Sequence, residues 1–209
     1  MELQYYGGNC LKITTKKANL IIDDNLEELG QKSITKADDI SLSTNRQIKS
    51  DKQVKFQINR PGEYELSDIS IIGIGARLHV DEKGKNEAVI YKIVVGDMRV
   101  VVVGHIYPEL NEKQLEQLGV VDILVVPVGG NGFTVDPKGA EKLIKDVEPK
   151  IVIPTNYSDK QLKYPVEPQS LENFLKELAI EPKETTPKLK LKNTDIYTEK
   201  ANCIVLERS

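Results

Sequence analysis

The chain has 209 residues, a net charge of -3 from 29 Lys+Arg against 32 Asp+Glu, and 39% hydrophobic residues. That balance excludes wholesale disorder and argues against nucleic-acid binding by bulk electrostatics. Two cysteines, Cys10 and Cys203, exclude a disulfide scaffold, and two histidines, His79 and His105, limit any metal or acid–base site.

The first half reads as strands. Leu11 and Ile13, then Leu20, Ile21 and Ile22, flank a polar turn over residues 14–19 and predict a hairpin. Residues 24–51 are polar and show no clean period. Phe56 and Ile58 alternate with Gln57, and Pro61-Gly62 marks a turn. Residues 64–66 lead into an apolar run over 69–74. Residues 89–95 and 99–103, joined by Gly96-Asp97, form another hairpin-like pair. Val and Ile dominate these runs, as pleated surfaces prefer.

The second half alternates helix and strand. Residues 111–118 predict a short helix stopped by Gly119. The apolar run over 122–128 suits a strand buried on both faces. Ala140, Leu143, Ile144 and Val147 form a helical stripe, with Asp136 as N-cap and Pro137 at the first helical position. Ile151-Val152-Ile153 reads as a strand closed by Pro154. Leu171, Phe174, Leu175 and Leu178 predict a further helix, and residues 202–206 a closing strand. The Lys-rich stretch 183–192 reads as solvated strand or loop. Together these give one mixed α/β domain over 1–209, strand-heavy in front and βα-alternating behind. No apolar run approaches the ~20 residues of a membrane helix, and the start has no basic and apolar leader pattern, so a cytoplasmic protein is expected.

Several segments stand in a specific order. They are Tyr5-Tyr6-Gly7-Gly8-Asn9-Cys10-Leu11, Leu20-Ile21-Ile22-Asp23, and Ala37-Asp38-Asp39-Ile40-Ser41-Leu42-Ser43. Pro61-Gly62-Glu63-Tyr64-Glu65, a run from Ile74 to His79, and Val101-Val102-Val103-Gly104 follow. Val121-Asp122-Ile123-Leu124-Val125-Val126-Pro127-Val128-Gly129-Gly130 and Pro149-Lys150-Ile151-Val152-Ile153-Pro154 close the series. This order resembles the metallo-β-lactamase superfamily, in its small single-domain, lactonase-like branch of zinc-dependent hydrolases. The resemblance implies an αβ/βα four-layer sandwich of two mixed β-sheets with outer helices. It also implies one or two divalent metals at one edge, activating water against an ester, lactone, amide or phosphodiester.

The family's ligands are mostly replaced here. Gly8 stands where a His is common, followed by Asn9 and Cys10. A gapless reading puts Thr44, Arg46, Ile48 and Lys49 at the four ligand positions of His-x-His-x-Asp-His, and no His precedes His79. His105 replaces the bridging Asp, and Asn156 replaces the last His. Arg46 and Lys49 would repel a dication but suit a phosphate or carboxylate. The resemblance, less its ligands, predicts a degenerate metal site and a pseudoenzyme without cofactor. Its cleft, built from Gly8, Asn9, Thr44, Arg46, Lys49, His79, His105 and Asn156, would bind a small anionic ligand or a protein partner, with no nucleic acid and no membrane. The alternative is a divergent hydrolase with one Zn²⁺ or other divalent metal on His79 and His105, completed by Asp23, Asp51 or Cys10. A homodimer through a sheet edge or the 183–192 region is a third possibility. Gly129-Gly130-Asn131-Gly132 reads as a tight strand-to-helix turn, and Cys10 and Cys203 as buried strand residues.

Overall fold

A computed structural model describes residues 1–46, 53–82, 84–191 and 201–209. Its first sheet begins with β1 (Glu2–Gly7), β2 (Cys10–Thr14) and β3 (Asn19–Ile22), an antiparallel meander. β4 (Ile40–Leu42) and β5 (Phe56–Ile58) then add in parallel. β13 (Leu189–Lys190) pairs with the free edge of β1, which gives the order β13-β1-β2-β3-β4-β5.

The second sheet starts as an antiparallel ribbon of β6 (Gly62–Leu66), β7 (Ile69–Ala76), β8 (Ala88–Val95) and β9 (Met98–Val102). β10 (Ile123–Pro127), β11 (Ile151–Thr155), β14 (Asn202–Leu206) and β12 (Glu184–Thr186) extend it in parallel, in the order β12-β14-β11-β10-β9-β8-β7-β6. The fold is thus the two-sheet α/β sandwich of the metallo-β-lactamase type.

The helices form where their sequences cap them. α1 (Glu112–Leu118) has a reciprocal capping box between Asn111 and Gln114 and ends at Gly119. α2 (Pro137–Val147) is capped by the Asp136 carboxylate, which accepts from Gly139 N–H at 2.7 Å. α3 (Leu171–Leu178) turns inward on Phe174.

One core lies between the sheets, where Leu3, Tyr5, Leu11 and Ile13 meet Ile71, Tyr91, Val100 and Ile153. A second lies between the larger sheet and all three helices, with Leu124 and Val126 against Leu118, Leu143 and Phe174. The outer face of the smaller sheet carries no helix among the described residues. There Cys10 and Ile21 are covered by Leu26 of a loop. Asp24 closes that loop by accepting from Ser33 Oγ at 2.6 Å and from the N–H groups of Ile34 and Thr35.

Strand β11 runs through Pro154 instead of stopping there. β14 pairs only with Ile151 and Val152 of β11, so Pro154 is paired on one side alone, where proline is tolerated. Cys10 and Cys203 are both buried and form no disulfide.

Candidate functional site: a polar relay at the mouth of a cleft

Strand ends and loops from both sheets converge at one edge of the sandwich. The β1–β2 turn carries Gly8 and Asn9, and the chain leaving β3 carries Asp23. Residues 44–46 cross from β4 toward β8: Val89 N–H donates to Thr44 C=O at 2.8 Å, and Asn45 bridges Ala88. His105 follows β9 through Gly104, whose φ of 54° brings its backbone against Thr44. Asn156 follows β11 with φ of 51°, and its N–H donates to Gly8 C=O at 2.7 Å.

Four of these side chains and Thr155, the last residue of β11, form one relay. Asp23 is fully enclosed and accepts from Thr44 N–H at 2.7 Å and Thr44 Oγ1–H at 2.5 Å. With Asp23 ionised, Thr44 spends its only proton there, so its oxygen accepts from His105 Nδ1–H at 3.2 Å. That makes His105 Nε2 a lone pair, which accepts from Asn9 Nδ2–H at 3.2 Å. Asn9 Oδ1 in turn accepts from Thr155 Oγ1–H at 3.1 Å. Burial pushes the Asp23 carboxyl above its usual range, opposed by the nearby His105 and by the Thr44 hydrogen bonds.

The relay backs a cavity of about 270 Å³. Gly8, Asn9, His105 and Asn156 all line it. Thr44 does not: it is fully buried behind His105, and its neighbour Asn45 faces the cavity instead. Arg46 turns away from the cavity toward Asn86 C=O at 3.4 Å and Glu87 at 3.9 Å. Lys49 and Asp51 lie outside the described residues. Among the described residues no Lys or Arg lines the cavity.

The two histidines part company. They face each other across a short antiparallel bridge, His79 N–H donating to His105 C=O at 2.8 Å. Leu78 and Val80 line the cavity, but His79 does not. Its ring lies 6.0 Å from that of Tyr107, and its buried Nδ1 has no hydrogen-bond partner. Burial depresses the His79 pKa, against weaker opposing effects of the Ile106 backbone and Asp136.

Sequence reasoning missed most of the other cavity residues. Asn25 and Leu29 come from the loop after β3, and Thr134 and Phe133 from the turn before α2. That turn continues the Gly129–Gly132 segment, in which Gly130 N–H donates to Val135 C=O at 3.0 Å. It is a tight connection and lines the cavity through Gly130.

The sequence profile of the Beta-lactamase superfamily domain matches residues 2–156. A UPF0173 protein of Pyrococcus abyssi is 25% identical over 183 residues, covering 75% of this chain and 83% of that protein. A UPF0173 metal-dependent hydrolase of Carboxydothermus hydrogenoformans is 50% identical over 46 residues, 22% of this chain and 20% of that protein. A Thermotoga maritima structure, named as a candidate Zn-dependent hydrolase of the metallo-β-lactamase superfamily, superposes with a TM-score of 0.74. It is 21% identical, with 99% of this chain and 98% of that chain covered. Igni18, a metallo hydrolase of Ignicoccus hospitalis, superposes with a TM-score of 0.61 at 16% identity, covering 99% and 95%.

Proposed function

The chain belongs to the Beta-lactamase superfamily, and from that premise we propose that it is a ligand-binding member that holds a small molecule in the cleft without metal-dependent hydrolysis. The observation that carries this reading is that both ring nitrogens of His105 are engaged by protein groups, Nδ1 at 3.2 Å from Thr44 Oγ1 and Nε2 at 3.2 Å from Asn9 Nδ2. A catalytic Zn²⁺ takes three His, Cys or carboxylate ligands and keeps a fourth position for water. Around this cavity stand the carboxamides of Asn9, Asn25, Asn45 and Asn156, together with His105 and Glu28. Neutral amides are poor donors for Zn²⁺. Among the described residues no group of three or more His, Cys, Asp or Glu side chains is arranged to hold a metal. Gly8 holds φ of 56°, a backbone conformation that a side chain there would adopt with strain. The described donors do not fit a catalytic zinc centre, and the reading routes no step through a metal.

A metal-dependent hydrolase is the second reading, and the names of the relatives favour it over the first. It needs His105 released from Asn9 and further ligands beside it. A cytoplasmic location without membrane or nucleic-acid partners belongs to the same proposal. It is supported by the net charge of -3 and by the lack, among the described residues, of any helix long and apolar enough to cross a membrane.

Elemental analysis of dialysed, tag-free protein separates the two. The binding reading expects near-zero metal, no thermal shift with Zn²⁺, Mn²⁺ or Fe²⁺, and no turnover of a generic lactone or phosphodiester. About one tightly held equivalent per chain, lost in His105→Ala, with turnover would overturn it.

A further inference from the structure

We infer that Asn131-Gly132 is a deamidation site, and that its conversion releases a latch between two walls of the cleft. The inference is independent of what the cleft binds and holds under either reading of its function.

Asn131 is the only asparagine in the chain followed by glycine. Glycine carries no side chain to shield its backbone nitrogen, so this pair is the one most open to attack. The Gly132 nitrogen gives up its proton and attacks Asn131 Cγ. The new N–C bond closes a five-membered succinimide, the Cγ–Nδ2 bond breaks, and Nδ2 leaves with the proton as ammonia. Water then opens either ring carbonyl and leaves aspartate or isoaspartate at position 131. Water is the only co-reactant.

The fold leaves this pair accessible. Residues 131–133 form the exposed tip of the turn between β10 and α2. Asn131 holds φ of 56°, the left-handed region that asparagine tolerates better than most side-chain-bearing residues. Gly132 follows with φ of 82°, and no atom lies within 4 Å of the place its Cβ would take. The base of the turn is fixed: Gln169 N–H donates to Gly129 C=O at 2.7 Å, and Gly130 N–H to Val135 C=O at 3.0 Å. The tip is held by less. Phe133 N–H donates to Gly130 C=O at 3.3 Å, and Asn131 Nδ2–H donates to Glu167 C=O. An exposed neutral bond contributes little net, because water offers both groups the same partners. The tip therefore opens while its base stays closed.

The bond from Asn131 to Glu167 links the turn to the segment after β11. Phe133 on the first and Val166 on the second both line the cavity. After deamidation, position 131 carries a carboxylate, which accepts only and meets the Glu167 carbonyl oxygen instead of donating to it. Glu167 is itself exposed and acidic, so the new charge adds repulsion. Isoaspartate also inserts an extra main-chain carbon into the turn. Both products break the side-chain link between the two walls.

The test holds tag-free protein at mildly alkaline pH and maps it by peptide mass spectrometry with isoaspartate methyltransferase labelling. Position 131 is expected to gain about 1 Da ahead of every other asparagine, and Asn131→Gln to stay unmodified, since its longer side chain closes the ring far more slowly. Hydrogen exchange of the aged protein and of Asn131→Asp then reads the latch. Segments 130–134 and 164–168 should exchange about fivefold faster, the loss of one neutral hydrogen bond, while β10 keeps its rate. Asparagine still intact at 131 when the urea-unfolded chain has fully converted overturns the site. Unchanged exchange of both segments, in the aged protein and in Asn131→Asp, overturns the latch.

Discussion

Gly104 and Thr44 approach so closely that a methyl group on Gly104 would sit 2.0 Å from Thr44 Oγ1. Gly104 also holds φ of 54°, which L side chains adopt with strain. These two facts place His105 within hydrogen-bond reach of Thr44. Gly104→Ala is expected to cost about 3 kcal/mol, the left-handed backbone and the overlap adding. Urea denaturation reads the loss, and an unchanged midpoint would mean that Thr44 yields without cost.

The relay has a direction, set by Asp23 as an acceptor of two hydrogen bonds from Thr44. Asp23→Asn replaces one acceptor oxygen with a donor NH₂. Thr44 must then accept from that new amide and donate to His105 Nδ1, and the ring proton moves to Nε2. Asn9 must turn its amide over to meet it. Side-chain ¹⁵N shifts should report an Nδ1–H tautomer in the parent and Nε2–H in the variant. The same tautomer in both would show that Asp23 does not orient the chain. Thr44→Val leaves the buried carboxylate without its hydroxyl donor and should cost about 3 kcal/mol.

Asp122 anchors the start of β10 far from the cleft. Its carboxylate accepts from Arg99 Nε at 2.8 Å, Arg99 N–H at 2.9 Å and Lys150 Nζ at 2.8 Å. Burial alone would raise its pKa, but these bonds outweigh it and hold the carboxyl below the usual range. Its contribution is therefore complete above the ordinary carboxylate pKa of ~4 and is lost as pH falls through the lower folded value. Asp122→Asn should cost about 3 kcal/mol at neutral pH and flatten the acid limb of stability. Equal acid limbs in parent and variant would remove Asp122 from the account.

The sequence made some of this visible and hid the rest for physical reasons. Helix α2 was legible because Asp136, Pro137 and a 3.6-residue stripe agree, and its bounds are met in the structure. β14 was legible as a compact apolar run. β1 carries a clean alternation of buried Leu3, Tyr5 and Gly7 with half-exposed neighbours, a signal present but muted by Gln4 and two adjacent tyrosines. β4 has three residues, one of them a buried Ser41, too short for any period. At the cleft, the order of segments brings Gly8, Asn9, His105 and Asn156 together. Asn25 and Thr134 escape because two loops meet there, and no local pattern encodes how loops approach each other.

His79 separates the two functional readings, because the hydrolase alternative uses it as a metal ligand whereas it does not line the cavity. Its depressed pKa means that the unfolded chain takes up a proton first as pH falls below ~6.5. Stability from this group is thus constant above that range and declines below it, down to the folded value. His79→Leu removes both the titration and the unpartnered Nδ1. It should leave neutral-pH stability unchanged or raise it by about 1 kcal/mol, and abolish the decline that sets in below ~6.5. A hydrolase that used His79 as a ligand predicts the opposite outcome: His79→Leu would lose metal and activity together while keeping its fold. Thermal melts across pH 5–8 and elemental analysis decide between them on one variant: metal and activity lost together with the fold retained would favour the hydrolase.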